Sequence, residues 1–347
     1  MDSKANRFEV LDALRGIAAT VVMLFHYLAG YDNEFGYSSR PIILFEDGFF
    51  GVQLFFIISG FVIYYSITNS KNVRDFLIRR FIRLFPTYWF CMFLTFAVVS
   101  YFGLSPVRDT TFKDALINLT MVQGIFNVKY VDNSYWSLQI ELFFYFFVAI
   151  IFSIGIQRFL NSILAAWLLL IVFYNFVYKI PVAGLLFNLQ YGMLFVAGIA
   201  FYKIKVLKEN NFFNHFIVVC SYVICLAVLR NMRGYLVGIS GVYIIFYLAI
   251  YDLLPFLKNS VLLFLGKISY ALYLIHDNIG LVVLQQLKMH GYNSPNVVIV
   301  PIAVSIILAW LITFYYEAFI TKWLRQKLIP RNVKSNIPIN QFRSSTG

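Results

Sequence analysis

The sequence predicts an all-α polytopic membrane bundle of about ten transmembrane helices with both termini cytoplasmic. Three observations carry that expectation. Hydrophobic residues make up 61% of the 347-residue chain and charged residues only 13%, against roughly 25% charged in a soluble domain. The apolar residues fall into serial runs near the ~20 residues that a span requires. The basic residues alternate in density between the two sides of those runs.

The runs are 8–30, 48–67, 84–102, 135–156, 163–178, 184–202, 213–229, 235–254, 268–287 and 296–320. With the N-terminus inside, nineteen Lys and Arg side chains lie on the cytoplasmic side and eight outside, leaving Arg15 within the first run. This bias sets the orientation. It also accounts for the net charge of +12 without nucleic acid, since the basic residues sit in short clusters beside apolar segments. The first run carries charges and lacks a small-residue cleavage site before Tyr31, so it is retained as a span rather than cleaved as a signal peptide. Cys91, Cys220 and Cys225 lie within apolar runs, with neither a disulfide framework nor a metal spacing, and read as packing residues. No metal site is expected. The two halves show no repeat. The longest external loop, 103–134, is expected to hold a short surface helix around 112–123. Residues 1–325 form the membrane domain and 326–347 a basic tail.

The first run, FEVLDALRGIAATVVMLFHYLAG, places Asp12, Arg15 and His26 within about 40° of one line on a helix. Arg15 and His26 stand about 16 Å apart along the axis. Ionisable groups at such positions mark functional sites, although Asp12 and Arg15 also suit an interfacial ion pair and His26 a structural hydrogen bond. In the second run, Ser59 and Gly60 interrupt bulky residues, serving either close helix packing or a ligand chain. The stretch RRFIRLFPTYW comes next. Arg80 and Arg83 share a helix face and suit either phosphate recognition or lipid headgroups, while Tyr88 and Trp89 suit an interfacial belt; all four, with Ser59, are the candidate cofactor-binding residues.

The fourth run opens YWSLQIELFFY. Ser137, Glu141 and Tyr145 form one stripe, and Glu141 lies at roughly the depth of His26, so it is expected to orient that histidine as a general base. Trp136 precedes the stripe. In the ninth run, Ser269, Tyr273 and His276 share a face, with Tyr270 beside them and Asp277 following His276. Glu317, near the inner end of the tenth run, suits a counter-ion for Arg80, Arg83 or Arg15, either holding the helices together or serving the substrate site.

The pieces LDALRGIAA with His26 following, FFIISGFVI, RRFIRLFPTYW, WSLQIELFFY and LGKISYALYLIH occur in this order across nearly the whole chain. In this the sequence resembles the acyltransferase 3 family of bacterial integral-membrane acyltransferases. The resemblance implies an acyl-CoA donor, usually acetyl-CoA, entering from the cytoplasm across the inner membrane. It implies a carbohydrate hydroxyl as acceptor, on a lipid-linked or surface glycan such as O-antigen, presented at the outer face among membrane lipids. His26 is similar to the family's essential histidine, Arg15 to the arginine of its LRG motif, and Arg80 with Arg83 to the RxxR pair that engages the CoA phosphates. Glu317 departs from the pattern, being followed by Ala318 where many relatives carry proline. No hydrolase-like domain follows the last span in this sequence, so the bundle is expected to act alone or with a separate partner.

The expected chemistry is proton removal from the acceptor by His26, directly or through an acyl-histidine. Ser137, Tyr273 or a backbone amide would stabilise the oxyanion. The alternative is a proton-coupled transporter or flippase, with His26, Glu141, His276 and Glu317 as its relay.

Overall fold

A computed structural model describes residues 8–329 apart from 40, 42 and 44. Among these the chain forms helices and turns, with no strand. The long helices are α1 (Glu9–Phe25), α2 (Gly51–Thr68), α3 (Val73–Phe102), α5 (Trp136–Ser153), α6 (Leu160–Phe176), α11 (Ser260–Met289) and α12 (Ile299–Leu311), the last continuing into α13 (Ala318–Leu328). Between them lie α4 (Phe112–Asn118), α7 (Pro181–Leu186), α8 (Gly192–Lys205), α9 (Phe212–Val228) and α10 (Tyr235–Ile250).

Seven helical stretches among the described residues are long and apolar enough to cross a membrane, with α9 and α10 apolar but shorter. Of the ten expected runs, those in the middle of the chain, 184–202, 213–229 and 235–254, fall on the shorter helices. The run 184–202 divides between α7 and α8, because Asn188 turns the backbone at φ 52° and donates Nδ2–H to the Ile140 carbonyl at 3.0 Å. Residues 192–204 of α8 are all buried, so this 14-residue helix is enclosed by others rather than by lipid.

Two helices are longer than their apolar runs. α3 begins at Val73, where Asn72 caps it by accepting from the Asp75 amide, and so carries Arg79, Arg80 and Arg83 on the same rigid rod as the apolar residues after them. α11 begins at Ser260 under the same type of cap, from Asn259 to Leu262. Polarity at a membrane surface ends an apolar run without ending a helix. In the 103–134 loop, α4 forms at the start of the expected 112–123 stretch, behind a Thr111–Asp114 capping box, and ends at Asn118. α13 runs through Leu328, which takes the start of the expected tail into a helix; from 330 onward that tail lies outside the described residues.

α1 and α11 cross at Gly16 and Gly266. A Cβ on Gly16 would stand 2.6 Å from the Gly266 amide nitrogen, and one on Gly266 would meet the Asp12 carbonyl. α2 and α8 cross in the same way at Gly60 and Gly198. The small pair in the second run divides its duties: Gly60 allows this approach, while Ser59 faces a cleft. Cys91, Cys220 and Cys225 are free thiols, two of them buried.

Candidate active site

Two clefts in the bundle hold most of the polar residues singled out in the sequence. The first, with about 720 Å³ between atoms, gathers ten of them: Arg15, Ser59, Arg80, Arg83, Ser137, Glu141, Tyr145, Ser269, Tyr270 and Tyr273. The second, about 810 Å³, is lined by His26 with Val22, Phe25, Phe49, Tyr130, Asn133, Ser134 and Trp136. Val52 and Tyr273 line both. The polar residues thus form an arginine end and a histidine end that meet at Tyr273.

At the arginine end, Arg80 donates to Ser66 Oγ at 2.9 Å, and its guanidinium carbon stands 5.9 Å from the ring centres of Phe76 and Tyr145. Arg83 forms an ion pair with Glu317 and lies 5.3 Å over the Tyr270 ring. Glu317 closes a π-helical turn, Ile312–Glu317, so α3 and the last membrane helix are tied by charge. Arg15 sits 3.6 Å from Asp12. Tyr270 donates its hydroxyl to the Leu84 carbonyl at 2.9 Å, and Ser269 to that of Gly266 at 2.8 Å. Stacked cations of this kind suit a phosphorylated ligand.

Glu141 belongs to this end. It accepts from the Tyr145 hydroxyl at 2.6 Å, one turn along α5. The expected pairing of Glu141 with His26 is therefore corrected. The carboxylate beside His26 is Asp277 of α11, with Oδ1 at 3.3 Å from Nδ1. Depth along each helix matched Glu141 to His26, but the close crossing at Gly16 and Gly266 presents α11, not α5, to that face of α1.

His26 is the first residue of a π-helical turn, His26–Gly30, an irregularity common at functional sites. Its ring lies 5.1 Å from the ring of His276. His276 donates Nδ1–H to the Tyr273 carbonyl at 2.9 Å, and its Nε2 is buried without a hydrogen-bond partner. The histidine end also contains residues that sequence reasoning did not nominate. Arg108, from the 103–134 loop, donates to Asp277 Oδ1 at 3.0 Å, to Asn278 Oδ1 at 2.5 Å and to both Glu34 carboxylate oxygens. Asp132 accepts from Ser134 through Oδ1 and from the Asn278 amide at 3.0 Å through Oδ2. Burial and the nearby Asp277 charge push the Asp132 carboxyl up to about 6, against those hydrogen bonds.

Two other expectations are corrected. Tyr88 and Trp89 are not an interfacial belt on the arginine side. Tyr88 is fully buried and donates to the Asn118 carbonyl at 2.8 Å, while Trp89 Nε1–H donates to that of Leu119 at 2.9 Å. Both anchor the 103–134 loop instead, and neither lines the arginine cleft in which a cofactor is expected. Ser137 Oγ and the Tyr273 hydroxyl stand 2.6 Å apart, one donating to the other, and each stands 3.1 Å from the Ser134 carbonyl, which takes the remaining hydrogen. Two hydroxyl hydrogens thus serve three contacts, leaving neither for an oxyanion in this arrangement. Trp136 faces the histidine cleft and packs at 5.3 Å on Tyr191.

Residues 8–316 match the family model described as an acyltransferase domain. ORF330 of Acidianus two-tailed virus, a candidate acetyltransferase by name, is 25% identical over 76% of this chain and 80% of its own. The peptidoglycan O-acetyltransferase OatA of Listeria monocytogenes is 29% identical over 39% of this chain, a match covering 22% of that larger protein. No solved structure matches the chain significantly. With its family match spanning nearly the whole of a multi-pass helical bundle, the chain belongs to the acyltransferase 3 family.

Proposed function

We propose that the protein is a membrane O-acyltransferase that takes an acyl group, acetyl in the first instance, from acyl-CoA at the arginine end and delivers it to a carbohydrate hydroxyl at the histidine end. The observation that carries this reading is that the two clefts share lining residues. Three guanidinium groups line one and His26 the other, with Val52 and Tyr273 common to both. The Listeria relative is named for acetyl transfer to a glycan, and a glycan hydroxyl is accordingly the acceptor in this reading.

Arg80 and Arg83 would bind the nucleotide phosphates bidentately, with the arginine end at the cytoplasmic surface of a bacterial inner membrane. The pantetheine arm then extends through the first cleft toward Tyr273. With Nδ1 3.3 Å from Asp277 Oδ1, the ring would carry its hydrogen on Nδ1, leaving Nε2 as the basic nitrogen of a ring that lines the second cleft. Nε2 removes the acceptor hydroxyl proton as that oxygen attacks the thioester carbonyl. The C–S bond breaks, and the CoA thiolate recovers the proton from His26. Asp277 fixes the tautomer and balances the transient imidazolium, and Arg108 holds Asp277 in place.

The test is transfer of labelled acetyl from acetyl-CoA to glycans in isolated membranes, comparing wild type with His26→Ala at equal expression. Label in the glycan that is lost in the variant supports the reading. No transfer by wild type, with CoA-independent movement of a glycolipid, would replace it with a carrier.

A further inference from the structure

We propose that Val52 and Tyr273 form the aperture that selects which acyl groups reach His26, admitting short uncharged chains and turning back longer or carboxylate-terminated ones. The inference rests on the acyl-transfer reading above and adds the residues that set donor specificity.

Val52 and Tyr273 are the residues that line both clefts, so on this reading an acyl group passing from the arginine cleft to His26 crosses between them. Each is almost completely buried, at 3% and 6% exposure. Tyr273 is held at both ends. Its hydroxyl is bonded to Ser137 Oγ and the Ser134 carbonyl, and its own carbonyl accepts from His276 and from Ser134 Oγ. Its ring packs at 5.4 Å against Phe55 and at 5.5 Å against His276. Val52, being β-branched, has little rotamer freedom in its helix. A side chain tethered in this way does not swing aside for a bulky substrate, so the aperture has a fixed width.

The aperture is also without a cation. Arg15, Arg80 and Arg83 line only the first cleft. At the histidine end, Arg108 is already bound to Glu34, Asp277 and Asn278. A carboxylate carried on the acyl chain would cross Val52, Phe55 and Tyr273 with its charge unpaired, which is strongly disfavoured. Size and charge therefore act at the same place through different physics.

The experiment compares acetyl-, propionyl-, butyryl- and succinyl-CoA as labelled donors to membrane glycans, using the full-length protein in membranes. Wild type should transfer acetyl at least about tenfold better than butyryl, the discrimination expected for one or two methylenes in a fitted apolar pocket, and no succinyl. Val52→Ala should narrow the acetyl-to-butyryl ratio about tenfold while succinyl remains excluded. Tyr273→Phe keeps the ring but frees it from Ser137 and Ser134, and should narrow the same ratio by a smaller factor. Acetyl transfer retained with an unchanged ratio in both variants would overturn this inference alone. Absence of transfer from every donor by wild type would overturn the acyl-transfer reading and this inference with it.

Discussion

Asp277 presents Oδ1 to Nδ1 of His26 at 3.3 Å from a helix that crosses α1 at a glycine–glycine contact. The same oxygen accepts from Arg108 at 3.0 Å, so the carboxylate is held from two sides, and its side chain is wholly buried. A base partner fixed in this way does not have to reorganise when the imidazole takes up a proton.

Asp277→Asn should therefore lower acyl transfer by about 10²-fold, within the range for a disrupted general base, with the loss in kcat rather than in KM for the donor. Steady-state kinetics in detergent or nanodiscs checks it. A loss confined to donor KM would remove Asp277 from the base pair.

Glu141→Gln should behave differently. Glu141 bonds Tyr145 in the arginine cleft, and glutamine retains an oxygen to accept from that hydroxyl. The expected result is a change of a few-fold in donor KM with kcat nearly unchanged. A drop in kcat comparable to that of Asp277→Asn would restore Glu141 to the role that its depth in the sequence assigns it.

Residues fixed to one another along a single helix are legible in the sequence, and residues brought together by neighbouring helices are not. Ser137, Glu141 and Tyr145 form a stripe because i, i+4, i+8 positions share a face whatever surrounds them, and Ser137 and Glu141 do face one cleft with Tyr145. The pairing of His26 requires knowing which helix faces it. Gly16 and Gly266 settle that, although in the sequence neither is distinguishable from any other glycine in an apolar run. The π-helical turn that begins at His26 is a second feature the regular period does not show, since an extra residue per turn rotates the residues after it by roughly 100° relative to a regular helix. Arg108 was hidden for a third reason. It belongs to a loop, where no periodicity predicts reach.

Arg83 and Glu317 test whether the tie between α3 and the last membrane helix is structural. Glu317 is nearly buried, with side-chain exposure of 10% against 36% for Arg83. Removing Arg83 strands a buried carboxylate, whereas removing both charges does not. A double-mutant cycle with Arg83→Ala, Glu317→Ala and the pair should give a coupling on the order of 1–3 kcal/mol, read as thermal stability in detergent. Strict additivity would show that the pair contributes nothing to stability.

Asp132 supplies the last prediction, on pH. Its carboxyl is raised from 3.8 to about 6 by burial and by Asp277, so the folded protein holds this proton more tightly than the unfolded chain does. Between roughly pH 4 and 6 the folded state carries the larger share of the proton, and stability from this group falls as pH rises through that window, then levels off. Asp132→Asn removes the titration while keeping one oxygen to accept from Ser134 or the Asn278 amide. The difference in melting temperature, wild type minus variant, should therefore be larger at pH 4 than at pH 6.5 and constant above that. A difference that grows with pH would mean that Asp132 is stabilised as the carboxylate, with the hydrogen bonds from Ser134 and Asn278 outweighing its burial beside Asp277.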